Sequence, residues 1–289
     1  MIAVILAGGE GTRLRPLTEW LPKSMLPIAN RPCLEHQIEH LRRHGVTRVI
    51  LSCGYLVEPI RDYFGDSLEY AIEPEPLGTG GAIGFAAAGI REAFVVCNGD
   101  VLTGLDLTAL IALHRARSAR ATIALHRVID PSAYGLVRSN ADGAVTAFIE
   151  KPPAGTADVD TINAGTYVLE PHVLGLIEAG RMVSIEREVF PRLIGSGLYA
   201  RVDEAGWRDI GTPESYLAAN LEAMPAGGLV DPSAVVDPAA DVTESVIGAG
   251  ARIGPGAWLR RSLVLPGAVV RAGARFDGRV IGRDGETVW

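Results

Sequence analysis

The chain has 289 residues, 48% of them hydrophobic, and a formal net charge of -7. That length suffices for a large core and for two domains, and that apolar content belongs to a compact globule rather than a disordered chain. Negative charge without any long basic run argues against nucleic acid and anionic membrane as partners, so a phosphorylated ligand would need a local basic pocket.

The longest apolar runs, MIAVILA and FVVC, have strand length and fall far short of the roughly 20 residues of a membrane span. The first residues lack the basic stretch of a secretory leader. Cys33, Cys53 and Cys97 are odd in number and lack metal-ligand spacing. They read as buried thiols in a reducing compartment, and a cytoplasmic location is expected.

In chain order, Ile2–Leu6 reads as a strand that runs straight into GGEGTR. Glycines let a backbone approach an anion closely and aim N–H groups at it. A tight turn alone would explain the glycines, but Arg13, Arg15 and Lys23 follow at once and favour phosphate binding. The Walker pattern needs a lysine directly after its last glycine, and the dinucleotide fingerprint needs a third glycine where Leu14 stands, so neither applies. Leu34–Arg43 has helical spacing and ends in HG, a helix stop. Its His36, His40 and His44 share one face, read as a partly exposed helix surface rather than a metal stripe. Val49–Ser52, Leu68–Ile72, Phe94–Cys97 and Ala121–Val128 read as strands; Val57–Phe64, Ala82–Ala88 and Leu107–Arg117 read as helices. This alternation predicts βαβ units and a covered central sheet, which binds ligands at the carboxyl ends of its strands. Two such ends are LAGGEG and VVCNGD.

After the linker MPAGGLVDP the pattern changes. Apolar residues recur at Val230, Val236, Val242, Ile247, Ile253, Leu259, Leu265, Val270, Phe276 and Ile281, with Gly, Ala, Pro and Ser between them. This hexapeptide repeat predicts a parallel β-helix of about 18 residues per coil and about three turns. Such stacked coils favour self-association, and Trp258 and Leu259 are candidates for that contact. No histidine follows His172, so the tail is read as an assembly element rather than a second enzyme. Domains are expected at 1–225 and 226–289.

The blocks LAGGEGTRLRPLT and PKSMLPI, followed in order by EPEPLGTGGAI, NGDVL, SAYGLV, FIEKP, INAGTYVLEP, SIEREVFP and WRDIGTPESY, resemble the sugar-1-phosphate nucleotidylyltransferases. Within that family LGTGGA, INAG, SIEREVFP and WRDIGTPESY look most like the mannose-1-phosphate guanylyltransferases. Ser24 stands where many members carry proline. The resemblance implies an α/β, Rossmann-like domain with a mixed central sheet, followed by a short left-handed parallel β-helix. It implies that an NTP, best GTP, and a sugar 1-phosphate, best mannose 1-phosphate, give an NDP-sugar and pyrophosphate. The same chemistry on heptose, glucose or cyclitol phosphate, with UTP, dTTP or ATP, stays open at this point, as does a non-catalytic regulatory subunit.

The resemblance also implies roles for particular residues. Arg13 and Lys23 would hold the triphosphate. Leu6, Gly8, Gly9, Gly11, Thr12, Gly78 and Thr79 would bind the nucleotide, largely through main chain. Asp100 and Asp209 would hold Mg²⁺. Lys151 would bridge the sugar phosphate and the α-phosphate, while Gly135, Glu150 and Asn163 would contact the sugar. The partners implied are these two substrates and further copies of the chain.

Only two of the 27 basic side chains are lysine, Lys23 and Lys151, and the other 25 are arginine. An ammonium is a compact point charge that sits between phosphate oxygens, whereas a guanidinium is broad and prefers one bidentate partner. Lys23→Arg and Lys151→Arg should therefore each lose on the order of a hundredfold in kcat/KM, the effect of a misplacement of about 1 Å. With both lysines expected to stand open to solvent, melting temperatures should stay near wild type. Losses below about fivefold in both, in steady-state kinetics, would make the two lysines compositional leftovers.

Overall fold

A computed structural model describes residues 1–54, 56–153 and 155–288. By compactness the chain divides into two units, Met1–Glu10 with Gln37–Trp207, and Gly11–His36 with Arg208–Trp289.

The first unit is built on one sheet. Its parallel part comprises β1 (Ile2–Leu6), β2 (Arg48–Cys53), β3 (Glu69–Ile72) and β4 (Phe94–Asn98). Helices α1 (Cys33–Arg43), α2 (Glu58–Phe64) and α3 (Gly78–Ala86) connect these strands. Helix α4 (Leu107–Ala116) follows, capped by Asp106, whose side chain accepts from Ala109 N–H at 3.0 Å. Next come β5 (Ala121–Arg127), β6 (Gly135–Ser139), β7 (Val145–Glu150), β8 (Thr161–Leu169) and β9 (Leu198–Val202). The order is β7-β6-β8-β4-β1-β2-β3, with β5 pairing β8 and β9. Strand β8 runs antiparallel to β4 and to β5. The sheet is therefore mixed, and the expectation of βαβ units holds for its first half only. Antiparallel neighbours need no crossover helix, which is why helical spacing lapses between α4 and β8, while β9 returns parallel to β5.

The core on this sheet gathers Val4, Ile83, Phe94, Val96, Tyr167 and Phe190. The Tyr167 and Phe190 rings meet edge to face, 5.0 Å between centroids. All three cysteines are buried and outside any disulfide, as read from the sequence. Burial pushes the Cys53 thiol up to about 11 and that of Cys97 up to about 12, so neither is a nucleophile at neutral pH. Helix α3 starts at Gly78, ahead of the expected Ala82, because its first turn is glycine-rich and hides helical periodicity. Among the described residues no helix is long and apolar enough to cross a membrane.

The second unit holds the repeat. Its strands stack into three all-parallel sheets, through Leu229, Val246, Leu263 and Val280, through Val235, Arg252 and Val269, and through Asp241, Trp258 and Arg275. This is the parallel β-helix the repeat predicts, but its coil is 17 residues long. Each coil takes two six-residue steps and one of five. The short step puts Val264, not Leu265, in the β-helix core beside Ile247 and Ile281, while Val230 is exposed. Leu259 points into that core and is fully buried, so it is no assembly contact. Trp258 lies on the outside under the Arg275 guanidinium, 4.9 Å from the ring centroid.

The sequence sets a boundary near residue 225, but compactness groups Gly11–His36 and helix α5 (Pro213–Ala223) with the repeat. Hydrogen bonds within the unit supply the reason. Tyr216 Oη donates to Pro27 O at 3.0 Å, Ala29 N–H to Asn220 Oδ1 at 2.9 Å, and Asn30 Nδ2 to Ile247 O at 2.9 Å. Val246, Leu263 and Val280 are likewise buried although they face out of the β-helix.

The register distinguishes two apolar positions of the tail. Leu259→Ala empties a packed core and should cost about 2–5 kcal/mol. Val235→Ala, at a residue 62% exposed, should stay within about 0.5 kcal/mol of wild type. Urea denaturation of the two variants checks the pair, and equal effects would contradict the register.

Candidate functional site

In the second unit the glycine loop turns on Gly11, whose φ of 60° suits glycine. It caps the 3₁₀ turn Thr12–Leu14, which is pinned by the fully buried Leu14. Thr18 Oγ1 donates to Gly11 O at 2.8 Å. A Cβ on Gly11 would sit 2.8 Å from Thr18 Cγ2 and 3.3 Å from Lys23 Cβ, so only glycine lets this loop close.

Arg13, Lys23 and Asp209 come together here. Lys23 opens the 3₁₀ turn Lys23–Met25, and its Nζ lies 3.2 Å from Asp209 Oδ1. A Cβ on Gly211 would lie 2.8 Å from both Arg13 Nη2 and Asp209 Oδ1. The guanidinium and the carboxylate thus flank one residue that has no side chain. Asp209 is the last residue of the short strand Trp207–Asp209. Ser215 Oγ donates to its carbonyl oxygen, and Thr212 caps the helix that follows, accepting from Ser215 N–H at 3.2 Å. The Lys23 side chain is only 12% exposed, which corrects the expectation that both lysines stand open. Lys151 is exposed as expected. Ser24 Oγ, at the position where resemblance leads one to look for proline, is buried and has no hydrogen-bond partner among the described residues.

In the first unit β1 delivers Leu6 to the loop that carries Gly8 and Gly9. A Cβ on Gly8 would sit 3.3 Å from Glu73 Oε1. Glu73 braces the next stretch of chain, accepting from Ser52 Oγ at 3.0 Å and from Leu77 N–H at 3.1 Å. Gly78, at φ 69°, leaves room for Val183 O, which a Cβ would meet at 2.6 Å. Asp100 follows β4 across Gly99, whose N–H donates to Leu6 O at 2.8 Å.

Strands β6 and β7 set Glu150 opposite Gly135, and a Cβ on Gly135 would come within 2.8 Å of Glu150 Oε2. Lys151 has a φ of 51°, unusual for a residue with a side chain. Its N–H donates to Tyr134 O at 3.1 Å. Asn163 sits where the β8 register breaks. It donates from Nδ2 to Tyr167 Oη at 2.8 Å and accepts from Gly165 N–H at 3.0 Å. Burial and then the neighbouring Glu186 raise the Glu150 carboxyl above the usual range, with Lys151 and Arg187 opposing.

Sequence reasoning gave no role to Thr18, Glu73, Glu186 or Gly211. All four lie inside quoted blocks, but the contacts of Glu73, Glu186 and Gly211 span distant segments. The histidine stripe resolves into separate structural roles. His36 Nε2 donates to Ile28 O at 2.9 Å, and His44 Nδ1 lies 2.9 Å from Thr108 Oγ1. His40 is buried rather than partly exposed, and burial, then His44 and Arg43, lower its pKa. Among the described residues no group of three or more His, Cys, Asp or Glu is placed to hold a metal.

Residues 2–224 match the model of the nucleotidyl transferase family. The chain is 41% identical, over 95% of its length and 82% of the relative's, to a mannose-1-phosphate guanylyltransferase of Mycobacterium tuberculosis. It is 38% identical to mannose-1-phosphate guanylyltransferase 1 of Arabidopsis thaliana, over 96% of this chain and 80% of that one. Among solved structures, HddC from Yersinia pseudotuberculosis complexed with GMP-PN superposes with a TM-score of 0.66 at 34% identity. That match covers 76% of this chain and 98% of HddC.

The Gly211 gap yields a test that separates function from folding. The atoms a Cβ would displace are the tips of Arg13 and Asp209, and side-chain tips move without disturbing backbone. Gly211→Ala should therefore fold and melt like wild type while losing on the order of a hundredfold in kcat/KM. A variant that melts normally and keeps wild-type turnover would remove the Arg13–Asp209 arrangement from the chemistry.

Proposed function

The chain belongs to the nucleotidyl transferase family, and from that premise we propose that it joins GTP to mannose 1-phosphate, giving GDP-mannose and pyrophosphate. The observation that carries the reading is the grouping of Arg13 and Lys23 with Asp209 around Gly211. Two cations are thereby concentrated in a chain whose formal net charge is -7. The relatives' names support the choice of base and sugar.

In the proposed reaction an oxygen of the sugar phosphate attacks the α-phosphorus of the nucleotide, a new P–O bond forms, and the bond to pyrophosphate breaks. Little covalent chemistry falls to the protein, which positions two polyanions and offsets their repulsion. Arg13 and Lys23 bind the triphosphate and take up charge as it moves onto pyrophosphate. Lys151, held in an unusual backbone conformation at the end of β7, bridges the sugar phosphate and the α-phosphate. Glu150, Asn163 and the space above Gly135 receive the sugar. Leu6, Gly8, Gly9, Gly11, Thr12, Gly78 and Thr79 line the nucleotide.

The donor set fits Mg²⁺, a hard ion that takes one or two carboxylates and completes its shell with phosphate oxygens and water. Asp100 and Asp209 are the residues proposed to hold it, and no closed protein cage is present among the described residues. When bound, the ion neutralises phosphate charge and polarises the phosphoryl oxygens. Residues 1–225 are proposed to carry the chemistry and 226–289 to mediate homo-oligomerisation, in the cytoplasm. All five residues Arg13, Lys23, Asp100, Lys151 and Asp209 are present, so nothing favours a non-catalytic regulatory role.

A matrix of GTP, ATP, UTP and dTTP against mannose, glucose, heptose and cyclitol phosphates, read by pyrophosphate release, is the decisive measurement. GTP with mannose 1-phosphate should give the highest kcat/KM, and chelation of divalent metal should abolish turnover. UTP or dTTP turning over tenfold faster than GTP, a difference of about 1.4 kcal/mol, would overturn the guanylyl assignment.

A further inference from the structure

The block SIEREVFP contains a turn of π-helix, Ile185–Val189, in the first unit. Such turns are rare and accompany functional sites. Here the turn carries Glu186. Its Oε2 accepts from Thr79 Oγ1 at 2.6 Å and from Ser184 Oγ at 2.7 Å. Thr79 Oγ1 in turn accepts from Ile185 N–H at 3.0 Å. Both hydroxyls go to one oxygen. Among the described residues the other oxygen, Oε1, accepts no hydrogen bond, and Glu186 pairs with no cation.

This carboxylate belongs to the same neighbourhood as Glu150. Glu186 acts electrostatically on the Glu150 carboxyl, and both carboxylates act on the buried Tyr167 phenol. That phenol receives the hydrogen bond from Asn163. Phe148 of β7 packs on Phe190, directly after the π turn, with centroids 5.5 Å apart. Two neighbouring carboxylates repel phosphate. They suit a neutral group rich in hydroxyl donors, whose hydrogen bonds also relieve the repulsion between the two charges.

We propose that Glu186 is a specificity-determining residue of the sugar site: Oε1 accepts from a sugar hydroxyl while Oε2 stays tied to Thr79. The assignment rests on the sugar-phosphate reading given above. It adds a second carboxylate to Glu150 and links sugar recognition to the segment Gly78–Thr79 through one side chain. A site built to hydrogen-bond a hydroxyl strongly rejects the analogue that lacks it, because the buried acceptor is left unpaired. Glu186 therefore discriminates at one particular sugar position.

Steady-state kinetics on the full chain, with GTP, mannose 1-phosphate and its 2-, 3-, 4- and 6-deoxy analogues, compare wild type with Glu186→Gln. The variant should raise KM for mannose 1-phosphate about tenfold or more and shift KM for GTP by less than about threefold. One deoxy analogue that costs wild type about tenfold or more in kcat/KM should cost the variant less than about threefold. Should Glu186→Gln not fold, Glu186→Asp carries the same comparison, since its shortened carboxylate cannot reach Thr79 and the sugar together. Unchanged discrimination against every deoxy analogue, or a KM change confined to GTP, would mean that Glu186 only staples Thr79, and the proposal falls. If wild type turns over a different nucleotide and sugar instead, the substrate assignment fails, and Glu186 is judged on that sugar's deoxy analogues by the same criterion.

Discussion

An ammonium 3.2 Å from a carboxylate, with the two side chains only 12% and 22% exposed, is the contact on which the second unit's loops depend. Partly desolvated charges are tolerated only when each has a close, well-directed partner. Lys23 can reach Asp209 because Gly11 has no side chain to crowd its stem. Asp209 is held by the Ser215 contact to its carbonyl and by the Thr212 cap that starts the next helix. Arg13 completes the group because Gly211 also lacks a Cβ. A structural ion pair would need none of these glycines. Together they let two cationic groups and a carboxylate lie side by side.

Charge is distributed by chemistry. The second unit gathers guanidinium and ammonium, which suit phosphates. The first unit gathers Glu150 and Glu186 near Tyr167 and Asn163, a set of acceptors and one donor that suits a neutral polyol. A sugar 1-phosphate is both things at once, a polyol and an anion. Lys151, next in sequence to Glu150, has a strained backbone conformation. Strain of that kind persists only where the surrounding structure fixes it, and here the Tyr134 carbonyl receives the Lys151 N–H.

Much of this was legible in the sequence. Strand β1 was read to the residue, because a short β-branched run buried on both faces has no other reading. Helices α1 and α4 and the strands between them followed from periodicity, with ends shifted by a residue or so. The repeat declared its β-helix through its recurring apolar positions, whereas phosphate at the glycine loop is an expectation drawn from the arginines and lysine that follow it. The residues proposed for the site came from the blocks of family resemblance, since neither composition nor spacing assigns a role to Gly135 or Asn163.

Tertiary structure decided what depends on pairing between distant segments. Local pattern could not tell a six-residue step from a five-residue one, so Leu265 was read into a register that stacking gives to Val264. Each coil must align its hydrogen bonds with the coil before it, and that fixes the period at 17. The antiparallel half of the sheet has no linear signature, because strand partners are chosen by packing rather than by neighbours in sequence. His40 sits on a charged helix face yet is buried. Lys23 was expected in solvent, but a carboxylate 186 positions along the chain shelters it. Residue types announced a phosphate chemistry on their own; which atoms meet was set only when segments far apart in sequence were packed together.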